Sequence, residues 1–314
     1  MDRQAWLLER FEEHRPRLRA VAYRMLGSLA ETDDAVQDAW VRVSRADAEA
    51  VRDPAAWLTT VVGRVCLTML RTRERRREEP LDAYAYAGAP GDAYADGAAA
   101  VPWTAHRMPD PLIGDPGAHD PEQQVLIADA VGLALMVVMD AMAPAERLAF
   151  VLHDMFAVPF EEIAPLVEKT PAATRQLASR ARRRVRDGAP EPDADPARQR
   201  AAVDAFFAAA HEGDLDALVA LLAPDIVLRS DGGAKRPQLS VVLRGAHEVA
   251  GQAVRWARLS QYVHPVLING VAGAVVAPHG RVVTVMAFTV VDGRVVAIDS
   301  LSDQQRLDGL GLAY

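Results

Sequence analysis

The hydrophobic period of this chain changes near Arg198, and no single fold can serve both sides of that change. Before it, apolar residues recur every three to four positions, as amphipathic helices require. After two more helical stretches, at about 198–211 and 214–222, six β-type runs follow. They are "DIVLRS", "LSVVLRG", "QYVHPVLING", "GAVVAP", "RVVTVMAFTVV" and "RVVAIDSL". The Asp292-Gly293 pair between the last two runs is a two-residue hairpin signal. Helices followed by an antiparallel sheet predict an α+β cone, set behind a separate all-helical part.

The helical part is itself divided. Residues 1–79 predict helices, with Gly27 ending the first, Asp53 capping the third and Pro54 at its first position. Val36, Ala39, Trp40 and Val43 share one face of the second, and Leu58, Val61, Val62, Val65 and Met69 form the stripe of the third. Residues 80–120 are rich in Ala, Gly, Pro and Asp and predict a linker. Residues 121–187 return to helix, beginning with "DPEQQ" and "APAERLAFVLHDMF". A second linker at 188–197 leads into the cone at 198–314.

Charge narrows the function. The chain carries a net charge of −8, yet residues 64–77 hold six arginines and 175–186 hold six more with no acid. Two local basic runs on helices, within an acidic chain, suit a polyanionic partner. The segment "VPFEEIAPLVEKTPAATRQLASRARRRV" has helix-turn-helix form. Ile163, Leu166 and Val167 face inward from the first helix, although Pro165 should cost that helix a backbone hydrogen bond. Thr170 caps the second helix and Pro171 starts it. Ala173, Leu177, Ala181 and Val185 point inward, leaving Arg175, Gln176, Ser179, Arg180 and Arg183 outward, where they suit base edges and phosphates. An αα-hairpin with a solvated basic face is the plainer alternative. Cys66 is the single cysteine, in an apolar helical stretch, and reads as a small buried hydrophobe. The charged N-terminus lacks a secretory h-region and no run is long enough to span a bilayer, so a cytoplasmic protein without membrane contact is expected.

Taken together, these segments resemble the extracytoplasmic-function RNA polymerase sigma factors of the sigma-70 family. "AYRMLGSLAETDDAVQDAWVRV" and "DPAAWLTTVVGRVCLTMLRTRERRRE" resemble region 2, and the helix-turn-helix resembles region 4. "FFAAAHEGDLDALVALLAPDIVLRSDGGAK" resembles the SnoaL-like, NTF2-type extension of one subfamily, and "PWTAHRMPDP" an expanded form of its linker motif. The resemblance implies that Asp34, Gln37 and Asp38 dock on the β′ clamp helices of core RNA polymerase, with the β flap as a second contact. It implies that Trp57, Thr59, Thr60, Arg64, Arg71 and Arg75 meet the −10 promoter element after "SRADAEAVRD" captures a flipped base. Thr170, Arg175, Gln176, Ser179, Arg180 and Arg183 would meet the −35 element as duplex. The loop Asp231, Gly232, Gly233 and Lys235 would carry regulatory contacts among cone, linker and sigma domains, replacing a separate anti-sigma factor. Ala234 stands where the subfamily has glycine, and "SLSDQQRL" where it has an Asn-Pro-Asp-Lys-Leu-like ending. The resemblance implies no catalysis, no metal and no cofactor, with an unidentified small ligand in the cone left open. Two rivals remain. One is a SnoaL-like enzyme or ligand sensor fused to a helix-turn-helix regulator, drawing acid–base groups from Asp231, Lys235, His264 and Asp299. The other is a stand-alone repressor.

Overall fold

The computed structural model describes residues 3–45, 53–78, 101–102, 107–114 and 131–314. The chain forms two compact units, neither of them continuous in sequence. One joins Met1–Ala99 to Met142–Arg182, and the other joins Ala100–Ala141 to Arg183–Tyr314. The expected division at 79/80, 120/121 and 187/188 is therefore regrouped: part of the linker belongs with the cone.

In the first unit, α1 (Arg3–Leu26), α2 (Leu29–Val43) and α3 (Pro54–Glu78) pack on one another. Their core is Leu18, Val21 and Met25 of α1, Ala35, Val36, Ala39 and Val43 of α2, and Leu58, Val62, Val65 and Cys66 of α3, all buried. The terminators work as the sequence indicated. Gly27 closes α1 with φ 68° and its N–H on the Tyr23 carbonyl, and the Asp53 carboxylate accepts from the Ala56 N–H at 3.1 Å. Trp40 is only half-buried, resting against Phe11 with ring centroids 5.2 Å apart.

The same unit holds α5 (Pro144–Phe150), a π-helical turn (Val151–Met155), α6 (Phe160–Ile163) and most of α7 (Pro171–Gly188). The first helix of the helix-turn-helix is a single turn. It stops before Pro165, whose missing N–H and ring would disrupt a longer one. Glu168 adopts φ 57° and turns the chain towards Thr170, whose Oγ1 accepts from the Ala173 N–H at 3.2 Å. Along α7 the buried residues are Thr174, Leu177, Ala178 and Ala181. Ala173 and Val185, expected inside, are half-buried. A strict four-residue spacing drifts about 40° per step around a helix of 3.6 residues per turn, so both fall off the stripe.

In the second unit, α4 (Leu133–Asp140), α8 (Pro196–Glu212), α9 (Leu215–Leu221) and α10 (Ala246–Arg255) accompany β3 (Leu222–Asp231), β4 (Val241–Arg244), β5 (Val263–Ile268), β6 (Val271–Val276), β7 (Thr284–Val291) and β8 (Arg294–Leu301). All six expected strands form. The sequence reading did not anticipate α10 or the short α11 (Gln304–Gly309). Two-residue turns at Asp292-Gly293 and Asn269-Gly270 place both residues at positive φ, as a type I′ hairpin needs. The helices cover a core of Val203, Phe206, Leu218, Ile226, Val249, Phe288 and Ile298. Phe206 and Phe207 each meet the Phe288 ring edge-on, at 5.4 and 5.6 Å. This is the anticipated α+β cone.

Two further strands come from the segment read as linker. β1 (Val101–Pro102) pairs with β4, and β2 (Ile113–Gly114) pairs with β5. The sheet order is β1-β4-β3-β8-β7-β6-β5-β2, so residues 101–114 occupy both edges. Edge strands left open invite pairing with other chains, and here the linker closes them. The second linker is anchored as well. The Asp193 carboxylate accepts from the N–H groups of Asp292 and Gly293 at 2.9 and 3.0 Å, stapling 188–197 to the β7–β8 hairpin.

Cys66 is fully buried, and burial pushes its thiol up from the ordinary 9.0 to about 12, outweighing the nearby Arg147 charge. The raised value favours the protonated fold below the free thiol's pKa, and that contribution fades as pH climbs from 9 towards 12. The native chain should therefore resist maleimide at neutral pH and take up one equivalent when unfolded, as mass spectrometry would show.

Candidate functional site

The residues expected to do chemistry on partners fall into four groups. On α2, Asp34, Gln37 and Asp38 are all exposed and sit at i, i+3 and i+4, opposite the buried Ala35, Val36 and Ala39. Val41, one turn further along this polar stripe, leaves 39% of its surface open. The face offers two carboxylates and an amide beside a small apolar spot.

On α3 the expected residues separate. Arg64 and Arg75 are exposed, and Trp57, Thr60 and Arg71 are half-buried. Thr60 turns its hydroxyl back onto the Trp57 carbonyl at 2.7 Å. Thr59 is a correction: it is wholly buried and its hydroxyl donates to the Ala55 carbonyl at 2.7 Å. It lies on a stripe with Gly63 and Leu67, at i, i+4 and i+8, turned inward with the core. Arg73, within the basic run of residues 64–77, forms an ion pair with Glu31. The side chains of Arg76 and Arg77, and residues 46–52 of "SRADAEAVRD", lie outside the described residues, as do "DPEQQ" and Trp103.

On α7, Thr170, Arg175, Gln176, Ser179, Arg180 and Arg183 are all exposed. They are not equally disposed to a ligand. The Arg175 guanidinium lies 5.3 Å over the Phe160 ring, which itself stacks on His153 at 3.7 Å. Arg180 Nε donates to Glu146 Oε1 at 2.8 Å, and Arg182 Nε to Asp154 Oδ1 at 2.6 Å. The acids of α5 and the π-helical turn thus hold two arginines of the helix that follows.

The fourth group is a clasp in the cone unit. Asp231 is buried: its Oδ1 accepts from the Gly233 N–H, and its Oδ2 from the Met108 N–H and Arg306 Nη1, each at 2.9 Å. Arg306 also pairs with Asp110, its Nε donating to Oδ1 at 2.9 Å, and donates to the Met108 carbonyl. Gly232 donates to Ser240 Oγ at 3.0 Å. Gly233 has φ 68°, and a Cβ there would strike the Asp303 carboxylate, so glycine is required. On the far side, Asn269 Oδ1 accepts from the Leu112 N–H at 2.9 Å, and the Asn269 N–H donates to the Leu112 carbonyl at 2.8 Å. Residues 107–114 are held at both ends, with Met108 fully buried.

Residues 10–76 match the family model for sigma-70 region 2, and residues 132–185 that for sigma-70 region 4. Over 313 residues the chain is 35% identical to the ECF RNA polymerase sigma factor SigJ of Mycobacterium tuberculosis, spanning 95% of this chain and 92% of that one. This chain is an ECF sigma factor. A probable ECF sigma factor of the same organism, SigI, is 30% identical over 95% of this chain and 93% of its own. The crystal structure of Mycobacterium tuberculosis SigJ superposes with a TM-score of 0.70 at 33% identity, covering 96% of this sigma factor and 98% of that chain.

Against that family, the two departures in the cone look different. The left-handed turn falls on Gly233, so Ala234 fits without strain. "SLSDQQRL" supplies the clasp through Arg306. Lys235, expected among the regulatory contacts, is exposed instead. Asp110, Met108 and Arg306 were missed by sequence reading. The available signal was the pairing of a lone Asp between two prolines with a basic residue near the C-terminus.

The groups weighed for acid–base chemistry in this sigma factor do not converge. Asp231 is in the clasp, and Asp299 accepts from Arg229 Nε at 2.6 Å. His264 faces Tyr314 with ring centroids 4.6 Å apart.

Proposed function

We propose that this sigma factor binds core RNA polymerase through the Asp34, Gln37 and Asp38 face of α2, and directs promoter-specific initiation in the cytoplasm. In this reading Arg64, Arg71, Arg75, Trp57 and Thr60 of α3 meet the opened −10 element. Arg175, Gln176, Ser179, Arg180 and Arg183 of α7 meet the −35 duplex, with Thr170 at its N-terminus. The β′ clamp helices and β flap are the expected polymerase contacts. Unstacked bases and duplex grooves call for different surfaces, and two short cationic helices supply one of each. Each is weak alone, and polymerase makes the pair bivalent.

The observation that carries this reading is the coincidence of both sigma regions with both exposed cationic helices, in a chain related along nearly its full length to ECF sigma factors. The test is run-off transcription with core polymerase on genomic DNA. Substituting Asp34, Gln37 and Asp38 together by alanine is expected to lower co-purification with core polymerase at least about tenfold, a loss near 1.4 kcal/mol and within the range of interface anchors. Unchanged co-purification would remove α2 as the docking face.

The cone acts in this proposal as a regulator in cis, through the Asp231–Arg306–Asp110 clasp on the linker. The engagement of Asp231, Asp299 and His264 elsewhere speaks against the enzymatic alternative, which needs convergent acid and base groups.

A further inference from the structure

We infer that Phe160, backed by His153, is a positioning residue for −35 recognition: it holds the Arg175 guanidinium ready for one base edge and so sets the discrimination at that base pair. The inference rests on the reading of α7 given above and names the part of that helix that is specific. The arginines of α7 are held in two different ways. Arg180 and Arg182 each spend the Nε–H on a carboxylate, at 2.8 Å on Glu146 and at 2.6 Å on Asp154. An arginine held like this has its charge offset and part of its donor fork turned towards protein. Arg175 forms no ion pair among the described residues. Its guanidinium lies instead over the Phe160 ring, 5.3 Å from the centroid. A ring face attracts the cation through its quadrupole and occupies none of its five N–H donors, so the whole fork stays open to a base.

The ring is itself fixed. Phe160 opens α6 and is only 6% exposed. The His153 imidazole stacks on it, with centroids 3.7 Å apart and planes 26° from parallel. His153 Nδ1 donates to the Val158 carbonyl at 3.0 Å, and because a carbonyl only accepts, this bond assigns the proton to Nδ1 and pins the imidazole. Ala157 makes the bond reachable: its φ of 58° turns the chain back, with its own N–H on the His153 carbonyl. His153 lies in the π-helical turn, a geometry that gathers at functional sites. Its neighbour Asp154 goes to Arg182, so adjacent residues of that turn serve different arginines of α7. A leucine at 160 would fill the same buried space, but only an aromatic ring holds a cation. An exposed arginine otherwise surrenders its rotamer freedom on reaching a base, and holding it beforehand removes part of that cost. The fork thus presented has the geometry that takes guanine O6 and N7 together.

The test uses the full chain with core polymerase and a promoter duplex recovered from the run-off assay, with each −35 base pair replaced in turn. Competition binding gives the discrimination at each position. Arg175→Ala should abolish discrimination at one base pair. Phe160→Leu should lower it at that same pair about 2- to 5-fold, the size of an exposed cation–π contact, and leave the other pairs unchanged. Phe160→Tyr keeps the ring and should keep the discrimination. In the Arg175→Ala background, Phe160→Leu should change nothing further at that pair, a coupling that simple core packing does not produce. A second measurement needs no DNA. Nitrogen-15 relaxation of the Arg175 Nε–H in the free chain should report an ordered guanidinium that becomes mobile in Phe160→Leu. Equal mobility in the two chains would overturn the inference. So would a uniform loss of binding across all base pairs that persists without Arg175. Wild-type binding indifferent to every −35 replacement would overturn the reading of α7 and this inference with it. Normal wild-type discrimination that Phe160→Leu leaves intact would overturn this inference alone.

Discussion

Arg306→Ala is expected to lower the stability of the cone unit by about 3 kcal/mol or more, because it strips the counter-charge at 2.9 Å from buried Asp231 and weakens that of Asp110, which keeps Arg107 at 3.6 Å. Asp110 and Asp231 are each 7% exposed, and Arg306 itself keeps 10% of its side-chain surface. Such a pair owes little to mutual attraction, since three charged groups were desolvated to make it. Its importance shows when one member is lost and the others stay buried with less compensation. For a unit of this size the shift corresponds to a melting transition lowered by roughly 6–12 °C, read by calorimetry on the full chain. A triple variant, Arg306→Met with Asp110→Asn and Asp231→Asn, removes all the charge and should recover most of the loss. Near-additive losses in that triple variant would mean the groups do not act as one clasp. The same variants should free the Met108 N–H and carbonyl, and faster proteolysis within residues 107–114 would report release of the linker.

The second large effect concerns promoter reading. Arg175→Ala should weaken transcription from a cognate promoter by about 1–3 kcal/mol, roughly 5- to 150-fold, while core polymerase binding holds. Arg175 lies near the N-terminus of α7, where a groove-bound helix presents its first side chains to bases, and Phe160 holds its guanidinium without neutralising it. Loss of discrimination at one −35 position, with other positions unaffected, would identify it as a base reader. A uniform loss with a shallower salt dependence would make it a phosphate contact instead. Arg180→Ala should also lower promoter use, but through two routes. It removes a cation and leaves Glu146, whose side chain is 9% exposed, without that partner. A small stability loss should therefore accompany the Arg180 substitution and be absent for Arg175. Equal melting transitions for the two variants would show that the Glu146 pair is not structural.

Most of the secondary structure was legible because it is local. Gly27, Asp53-Pro54, Thr170-Pro171 and Asp292-Gly293 fix their own backbone geometry, and period-2 and period-3.6 patterns declare themselves within ten residues. Site residues on outward faces, such as Asp34, Gln37, Asp38 and Arg175, followed from those periods. Thr59 did not. A threonine on the flank of an amphipathic helix has no local mark of burial, and what covers its stripe is distant in sequence.

The amino-acid sequence by itself determined most of the order of helices and strands, the capped ends, the two cationic helices and the family. Only the tertiary structure decided which linker residues belong to the cone, which arginine closes the clasp, and which acids hold Arg71, Arg73, Arg180 and Arg182. The reason is physical. Helix and strand choice depends on neighbours a few bonds away. A salt bridge between Asp110 and Arg306 joins residues 196 positions apart. Such a pair pays the loop-closure entropy only once the whole fold has brought its ends together.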